Sequence, residues 1–394
     1  MFNIDNDYMV KIRREIHMYP EVDYDLPKTV ALIKRELESL GIPYTEEYGK
    51  GSVVGYINPD KEAFTIGIRA DIDALRITEK TNLPFASKHE GMMHACGHDA
   101  HTAIVLGAAK TLKEMEKDLS CRIKLIFQPS EEGITSGAVM MIENGVLDDV
   151  DILTGLHVGI HYPTGHVGIC PGVSHASSRH FKIEVHGKSF HATAYQNGID
   201  ALSIAVRMYN AIETMTAREI GPAEKFVCVV TKLESGTAQN IIPNYAQMQG
   251  TIRTFTDELS EFIYERIQKI AKCLSEEYGV EISFHAPLKS SCLYNNPYLA
   301  ELLKKSSEKA LGEENVHEGS AVLGSDDFSR YTSIVPSVYF RLGIKNAEKG
   351  INKIGHEDTF DVDEDAMEYG VKTLVQFAVD NQNGIDMEKC RNQK

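Results

Sequence analysis

A thiol and three imidazoles lie within one short stretch of the chain, HACGHDAHTAIVLGAA at residues 94–109. Cys96 and His98 flank a glycine, and the small apolar residues that follow predict a helix over 102–116. A thiol near a helix N-terminus is favoured as thiolate, the form that binds metal or attacks carbon. The pair is therefore a candidate metal site or a candidate nucleophile with its base. The alternative is that each residue has no chemical role and is simply packed in the core or exposed at the surface.

Two adjacent carboxylates form a second candidate group. Glu131 and Glu132 stand in QPSEEG, residues 128–133, directly after a predicted strand over 122–127. Adjacent carboxylates in one cleft repel each other, so a compensating cation is expected if both are buried. In metal-assisted hydrolysis one such carboxylate coordinates the ion and the other transfers the proton. Two solvated surface glutamates are the alternative.

Further candidate ligands follow other predicted strands. His157 ends a strand over 152–157, in TGLHVG, and His356 lies in a loop, NKIGHEDTF, before an acidic helix cap. Ligands of open α/β sheets bind beyond the carboxyl ends of the strands, where five side chains can be placed: Cys96, His98, Glu132, His157 and His356. Five ligands exceed one tetrahedral zinc but fit two adjacent ions that share a bridging water.

Two aspartates are candidates for holding these imidazoles in the required tautomer. Asp73 belongs to RADIDAL, which follows a predicted strand over 64–70, and Asp99 follows His98. Carboxylates commonly accept the second N–H of a metal-binding histidine. Turn and cap residues are the alternative interpretation of both aspartates.

Four residues are candidates for substrate contacts. His191, in GKSFHAT, could donate to a developing oxyanion. Asn240 and Arg253 could together grip a carboxylate, to which arginine offers a bidentate fork. Ser325 lies in GSDDFS, residues 324–329, whose glycine, hydroxyl and acid groups suit a substrate-facing loop. A surface histidine and a plain strand-end arginine are the competing interpretations.

The elements that carry these residues fall into two patterns. Strands alternate with helices over the first 175 residues and again after about 289, which predicts an α/β domain with a mostly parallel sheet flanked by helices. From about residue 179 the order is β-α-β-β-α-β, the ferredoxin-like α+β plan. We therefore predict a catalytic, metal-binding domain over 1–178 and 289–394, with a smaller domain inserted at 179–288. The length of 394 residues agrees with two domains.

Composition excludes several classes of function. Forty-one Lys plus Arg against 57 Asp plus Glu give a net charge of −16, which repels nucleic acid and anionic membrane surfaces. Seven scattered cysteines without a CxxC pair suit a reducing compartment better than a disulfide framework. The sequence has no signal-peptide pattern and no apolar stretch approaching 18 residues, so we predict a cytoplasmic protein.

Taken together, the motifs resemble the amidohydrolase branch of the dinuclear aminoacylase- and carboxypeptidase-G-like metallopeptidases. This branch includes hippurate, auxin-conjugate and N-acyl-amino-acid hydrolases. The motifs that carry the resemblance occur in the family's order across residues 13 to 358: RADIDAL, MHACGHDAHT, QPSEEG, GLHVG, NIIP, GTIRTF, GSDDF and GHED. Departures occur at Arg76, where the family commonly has proline, at Thr135-Ser136-Gly137, where it has a glycine pair, and at Phe190, where it has glycine. The stretch after His191 also lacks the family's frequent proline.

The resemblance implies a catalytic α/β domain and a satellite domain that often dimerises. It implies that the five candidate ligands bind two divalent ions (Zn, Mn, Co or Ni), that Glu131 is the general base, and that His191, Asn240 and Arg253 recognise substrate or oxyanion. The expected oligomer is a homodimer or homotetramer formed through the satellite domain. The substrate implied is a small N-acyl amino acid or short peptide.

We therefore expect a metal-dependent amidohydrolase that cleaves N-acyl amino acids with metal-activated water. An aminopeptidase, dipeptidase or carboxypeptidase acting on small peptides is the nearest alternative. An amidase with Cys96 as nucleophile is a second, although it leaves Glu132, His157 and His356 unexplained. A non-catalytic metal- or peptide-binding protein is a third, although simple binding needs no spare base such as Glu131.

Overall fold

The chain forms two compact units in the computed structural model, which describes residues 2–391. One unit runs to Ser174 and also contains Tyr294–Ala321 and the chain from Asp327 onward. The other comprises His175–Leu293 and Val322–Asp326. Residue 1 and residues 392–394, at the ends of the first predicted domain, lie outside the described residues.

This division differs from the predicted domain limits in one segment. The insert limits of 179 and 288 lie within a few residues of the observed ones, but Val322–Asp326 was assigned to the first domain and clusters with the second unit. The reason is local pairing, because His175 forms a β-bridge with Val322 and Arg253 binds Ser325. The functional roles assigned to the two domains stay predictions.

Residues 2–391 contain both helices and strands. The helices are α1 Asn6–His17, α2 Pro27–Ser39, α3 His98–Glu114, α4 Gly137–Glu143, α5 Ala201–Arg218, α6 Asp257–Tyr278, α7 Pro297–Leu311, α8 Ser329–Thr332, α9 Met367–Asn381 and α10 Met387–Arg391. The strands are β1 Tyr44–Thr45, β2 Val53–Ile57, β3 Thr65–Asp71, β4 Arg122–Gln128, β5 Ile152–Pro163, β6 Val167–Ile169, β7 Gly172–His175, β8 Ser177–His186, β9 Phe190–His191, β10 Phe226–Ser235, β11 Ile241–Ile242, β12 Tyr245–Thr254, β13 Glu281–His285, β14 Leu288–Ser290, β15 Leu293–Asn295, β16 Val316–Glu318 and β17 Ser337–Lys345.

An eight-stranded sheet organises the first unit, in the order β1-β2-β4-β3-β5-β17-β6-β16. Its four central strands, β4, β3, β5 and β17, are mutually parallel. Every residue of β3 is buried, as expected of a parallel strand covered on both faces. Helix α3 packs against β3 and against α1 and α9, and the apolar residues at these contacts form one core. The predicted α/β class with a mostly parallel sheet is confirmed.

Two predicted element boundaries near the candidate ligands were wrong. Helix α3 begins at His98 and not near Thr102, because its first turn is polar and the apolar periodicity becomes visible only afterwards. Strand β5 continues to Pro163, so His157 lies within the strand and does not end it. The extension follows from parallel pairing with β17, which continues as far as Lys345 opposite Pro163.

An antiparallel sheet in the order β10-β12-β8-β13 organises the second unit, with β14 also paired to β8. Strands and helices follow one another as β8, α5, β10, β12, α6 and β13, the ferredoxin-like order. The Thr256 side chain caps α6 by accepting from the N–H of Leu259, and Gly279 ends the helix in the left-handed conformation. None of the helices within residues 2–391 is both long enough and apolar enough to cross a membrane.

Candidate metal centre

The five candidate ligands belong to segments that the first unit's sheet brings to one place. The ligand atoms of Cys96, His98 and His157 lie within 4.8 Å of one another, and so do those of Cys96, Glu132 and His356. The Sγ atom of Cys96 lies 3.3 Å from Nε2 of His157, and Nε2 of His356 lies 3.1 Å from Oε1 of Glu132. The thiol of Cys96 is therefore common to two groups of three candidate ligand atoms.

Three ligand segments are held in unusual backbone conformations. Gly97, between Cys96 and His98, has φ 87°, and a Cβ there would lie 2.4 Å from Cγ2 of Val158. Ser130, which precedes the two glutamates, has φ 52°, and His356 itself has φ 72°. Left-handed conformations of residues other than glycine cost about 1–3 kcal/mol and cluster at functional sites. The backbone is therefore left-handed beside Cys96 and His98, before the two glutamates and at His356, whereas His157 lies within strand β5.

Main-chain acceptors orient two of the candidate ligand imidazoles. Nδ1 of His98 donates to the carbonyl of Asp73 at 2.8 Å, and Nδ1 of His157 donates to its neighbour, the carbonyl of Val158, at 2.7 Å. In the neutral form of each ring, the form that binds metal, this hydrogen bond places the proton on Nδ1 and leaves the lone pair on Nε2, the atom that faces the cluster. Nε2 of His98 is buried and has no hydrogen-bond partner. A buried imidazole nitrogen without a partner, beside sulfur and carboxylate donors, fits a divalent cation.

Asp73 holds the loop that carries the two glutamates. Its Oδ1 and Oδ2 accept the main-chain N–H groups of Glu131 and Glu132, each at 3.1 Å. The Oε1 atom of Glu131 in turn accepts the N–H of Asp327 at 3.3 Å. The carboxylate of Asp327 is itself anchored, since it accepts from Arg69, Gln128 and Ser136. Glu131 is thus fixed at both its main chain and its carboxylate.

Burial and charge set the protonation of these groups in the protein without metal. Burial raises the pKa of the Cys96 thiol well above its usual range, and the charge of Glu132 adds to the rise. Burial also opposes ionisation of Glu132, but the hydrogen bond from His356 and the charge of His98 outweigh it and lower the pKa of Glu132. The thiol is therefore neutral unless a cation is present to favour the thiolate.

Asp99 pairs with side chains of α1 and not with the imidazoles of the predicted ligands. Its Oδ2 lies 2.7 Å from Nδ1 of His17 and 3.2 Å from Nε of Arg13, and all three side chains are buried. Nε2 of His17 lies 3.3 Å from Oε1 of Glu79. Asp99 therefore joins the first turn of α3 to α1.

Sequence reasoning missed a buried aspartate–histidine pair beside the cluster. Asp71 Oδ1 lies 2.5 Å from Nδ1 of His101, and Nε2 of His101 accepts the N–H of Val158 at 3.0 Å. Asp71 Oδ2 also lies 3.6 Å from Nε2 of His98. RADIDAL and the third imidazole of residues 94–101 were visible signals, but their pairing requires β3 and α3 to be adjacent.

The four candidate substrate residues lie in the second unit, where they form two pairs. His191 is opposite Ile241 in the β9–β11 pair, and the carbonyl of Asn240 accepts the N–H of Ala192 at 2.9 Å. Nη1 of Arg253 donates to Oγ of Ser325 at 2.7 Å. The structure therefore places His191 beside Asn240, and Arg253 beside Ser325. The roles of these four residues stay predictions.

Comparison with known proteins relates nearly the whole chain to metal-dependent hydrolases. Residues 67–380 match the model of peptidase family M20/M25/M40. The chain is 39% identical over 377 residues to thermostable carboxypeptidase 1 of Saccharolobus solfataricus, covering 95% of each protein. It is 33% identical over 379 residues to N-acetylcysteine deacetylase of Bacillus subtilis, covering 94% of this chain and 96% of that one. The crystal structure of a dinuclear metal binding peptidase from Bacillus subtilis matches with TM-score 0.82 and 30% identity, covering 96% of this chain and 99% of that one.

Proposed function

The chain belongs to peptidase family M20/M25/M40, and from this membership we propose that it removes the acyl group from N-acyl amino acids with the help of two divalent metal ions. The observation that carries the proposal is the meeting of Cys96, His98, Glu132, His157 and His356 beside a separately anchored carboxylate, Glu131. The products are a carboxylic acid and a free amino acid.

The five ligands would hold the cations through one sulfur, three imidazole nitrogens and a carboxylate. When bound, divalent cations lower the pKa of water and polarise a carbonyl oxygen as Lewis acids. The buried Nε2 atom of His98 supports this assignment, because it has no hydrogen-bond partner within the described chain. Sulfur among the ligands favours zinc, while manganese, cobalt and nickel are compatible with the nitrogen and oxygen donors.

Glu131 transfers the proton in this proposal. Its carboxylate accepts the proton of the attacking water as oxygen bonds to the amide carbon. It then delivers that proton to the leaving nitrogen, and the C–N bond breaks. Two hydrogen bonds support this role: the N–H of Asp327 donates to the carboxylate of Glu131, and the N–H of Glu131 donates to the carboxylate of Asp73. They hold Glu131 in place, and a base must keep one position through both transfers.

His191, Asn240 and Arg253 recognise the substrate in this proposal. The N–H of Thr193 donates to Nδ1 of His191 at 3.3 Å, so that neutral His191 carries its proton on Nε2 and can donate it to an oxyanion. The guanidinium of Arg253 pairs with the carboxylate of the amino acid, and Ser325 orients that guanidinium.

Specific observations bear on the three alternative functions. A carboxypeptidase-like activity on small peptides is the second candidate, because the chain is 39% identical to a thermostable carboxypeptidase. A cysteine nucleophile is disfavoured because burial keeps the Cys96 thiol pKa high. A binding protein without activity would have no use for the anchored carboxylate of Glu131.

Metal analysis combined with a substrate panel tests the proposal. Purified protein is assayed on N-acetyl and N-benzoyl amino acids, on dipeptides and on N-blocked peptides, before and after chelation and reloading with single metals. Metal-dependent release of amino acids from the N-acyl compounds is expected. Preference for N-blocked peptides would select the carboxypeptidase alternative, and undiminished hydrolysis without metal would overturn the mechanism.

We also propose that the chain forms a homodimer through the second unit. Leu202, Val206 and Tyr209 make an exposed apolar stripe on α5 at helical spacing. The edge strand β10 exposes Val229 and Leu233. Exposed edges and contiguous apolar patches are typical of interaction surfaces.

Light scattering after size-exclusion chromatography tests the dimer. Val206→Glu places a charge in the stripe and is expected to give a monomer. Thr214→Glu adds the same charge at an exposed position of α5, two turns beyond Val206 and on another side of the helix, and should leave the mass unchanged. A wild-type monomer, or a dimer that persists in Val206→Glu, would contradict the proposed surface.

A further inference from the structure

A single buried guanidinium links three segments of the first unit. Arg13 is 1% exposed although it belongs to α1 near the start of the chain. All three of its nitrogens donate hydrogen bonds. Nε donates to Oδ2 of Asp99, Nη1 to the carbonyl of Val362 and to Oε1 of Glu364, and Nη2 to Oδ1 of Asp361, at 3.2, 3.2, 3.1 and 2.6 Å.

The partners of Arg13 stand beside candidate metal ligands in the sequence. Asp99 directly follows His98 in the first turn of α3. Asp361 and Val362 lie at the C-terminal end of the loop that carries His356. Arg13 therefore joins the segment of one ligand to the segment of another, although it lies in a third element and is not itself a ligand.

The loop of His356 depends on such anchors because regular pairing does not hold it. No helix or strand is assigned from Asn352 to Asp363, and His356 has a left-handed backbone. The N–H of His356 donates to the carbonyl of Ala95 at 2.7 Å, next to Cys96. The contacts of Arg13 secure the other end of the same loop.

Charge makes the anchor difficult to replace. Three carboxylates, those of Asp99, Asp361 and Glu364, converge on Arg13. Without the guanidinium they would repel one another at low solvent exposure. A lysine would return the charge, but its single ammonium cannot reproduce a planar fork that donates in several fixed directions.

We propose that Arg13 is a positioning residue that sets the affinity of the metal centre by fixing the segments of His98 and His356 relative to each other. This inference rests on the proposed metal-dependent function. Residues that orient metal ligands through hydrogen bonds typically change metal affinity by about 10- to 100-fold when they are replaced.

Zinc affinity measured by competition with a chromogenic chelator tests the inference on full-length protein. Arg13→Lys is expected to bind zinc about 10- to 100-fold more weakly than wild type. Arg14→Lys is the matched control, since the neighbouring Arg14 binds the same Glu364 carboxylate but its side chain is 45% exposed. Its zinc affinity is expected to stay within about twofold of wild type, because an exposed ion pair contributes little.

Thermal unfolding of the metal-free proteins separates positioning from general stability. A lower melting temperature of Arg13→Lys with unchanged zinc affinity would overturn the inference and make Arg13 a purely structural residue. If Arg13→Lys does not fold, Asp361→Asn replaces it, which keeps the shape of the partner and removes its charge. A folded Asp361→Asn protein with wild-type zinc affinity would also overturn the inference. Absence of zinc binding by wild type would instead reject the proposed function.

Discussion

The carboxylate of Asp73 accepts the main-chain N–H of Glu131 at 3.1 Å. Asp73 is fully buried, and burial raises the pKa of its carboxyl group. The same carboxylate accepts the next N–H along the chain, so it holds the loop at two consecutive peptides. The side chain of Glu131 can then be altered while the loop that presents Glu132 stays in place.

Replacement of Glu131 by glutamine is therefore expected to separate catalysis from metal binding. The amide cannot accept and return a proton, so turnover should fall by about 10²- to 10⁴-fold or more, while metal content stays at the wild-type level. Steady-state kinetics and elemental analysis measure the two quantities. Glu143→Gln, an exposed position at the end of α4, should change neither. Turnover retained by Glu131→Gln would remove it as the base.

Replacement of Cys96 by serine is expected to lower metal content and turnover together. A hydroxyl is a harder and less acidic donor than a thiol, and Cys96 belongs to two ligand clusters. Cys273→Ser is the control, because Cys273 is exposed on α6. Elemental analysis and assays in chelator measure the effect. If instead the metal-free protein hydrolyses substrate and iodoacetamide stops it, Cys96 acts as a nucleophile.

Replacement of Arg253 by lysine is expected to weaken binding of the substrate carboxylate. Hydrogen bonds to charged groups contribute about 1.5–3 kcal/mol, so KM should rise by about 10- to 100-fold with a smaller change in kcat. Arg266→Lys serves as control, since Arg266 pairs with Glu219 on the same unit. The carboxylate role is contradicted if esters of the amino acid carboxyl group are hydrolysed as well as the free acids.

His17 is expected to make the free energy of unfolding depend on pH. Although burial opposes protonation, Asp99 and Glu79 raise the pKa of His17 to about 9, above the value of about 6.5 in unfolded chains. The stabilisation is complete below about pH 6.5 and is lost as the pH rises through about 9. The difference in stability between wild type and His17→Gln should shrink over that range by at most on the order of 3 kcal/mol. Urea unfolding at several pH values measures it.

The control for this prediction is His285→Gln, which changes an exposed histidine of β13. Its difference from wild type should stay nearly constant over the same pH range. A constant difference for His17→Gln would show that His17 is not charged in the folded protein.

Helices and strands were predicted well from the sequence where their burial requires apolar residues at regular or neighbouring positions. Strands β3 and β4 were visible because both are short segments rich in isoleucine, leucine or phenylalanine, which is typical of parallel strands covered on both faces. The start of α3 was not visible, because His98, Asp99 and His101 in its first turn are polar. The helix could be located only where its apolar periodicity resumes.

Contacts between distant segments were beyond sequence reasoning. The five candidate ligands could be listed because each lies at the end of a predicted strand, just after one, or shortly before a predicted helix. The pairing of Asp99 with Arg13, or of Asp71 with His101, depends on which elements are neighbours in three dimensions. The assignment of 322–326 to the second unit has the same origin, since it rests on pairing with His175 and Arg253.

The hydrogen bond from Arg13 to Val362 joins residues 349 positions apart. A ribosome synthesises Arg13 long before the loop of His356, so a nascent chain cannot bring the five candidate ligands together until that loop has emerged. Until then the chain would present Cys96, His98, Glu132 and His157 without His356. Binding of metal at the proposed site would therefore have to wait for the segment of His356, and a chain terminated before that segment would lack one of the five candidate ligands.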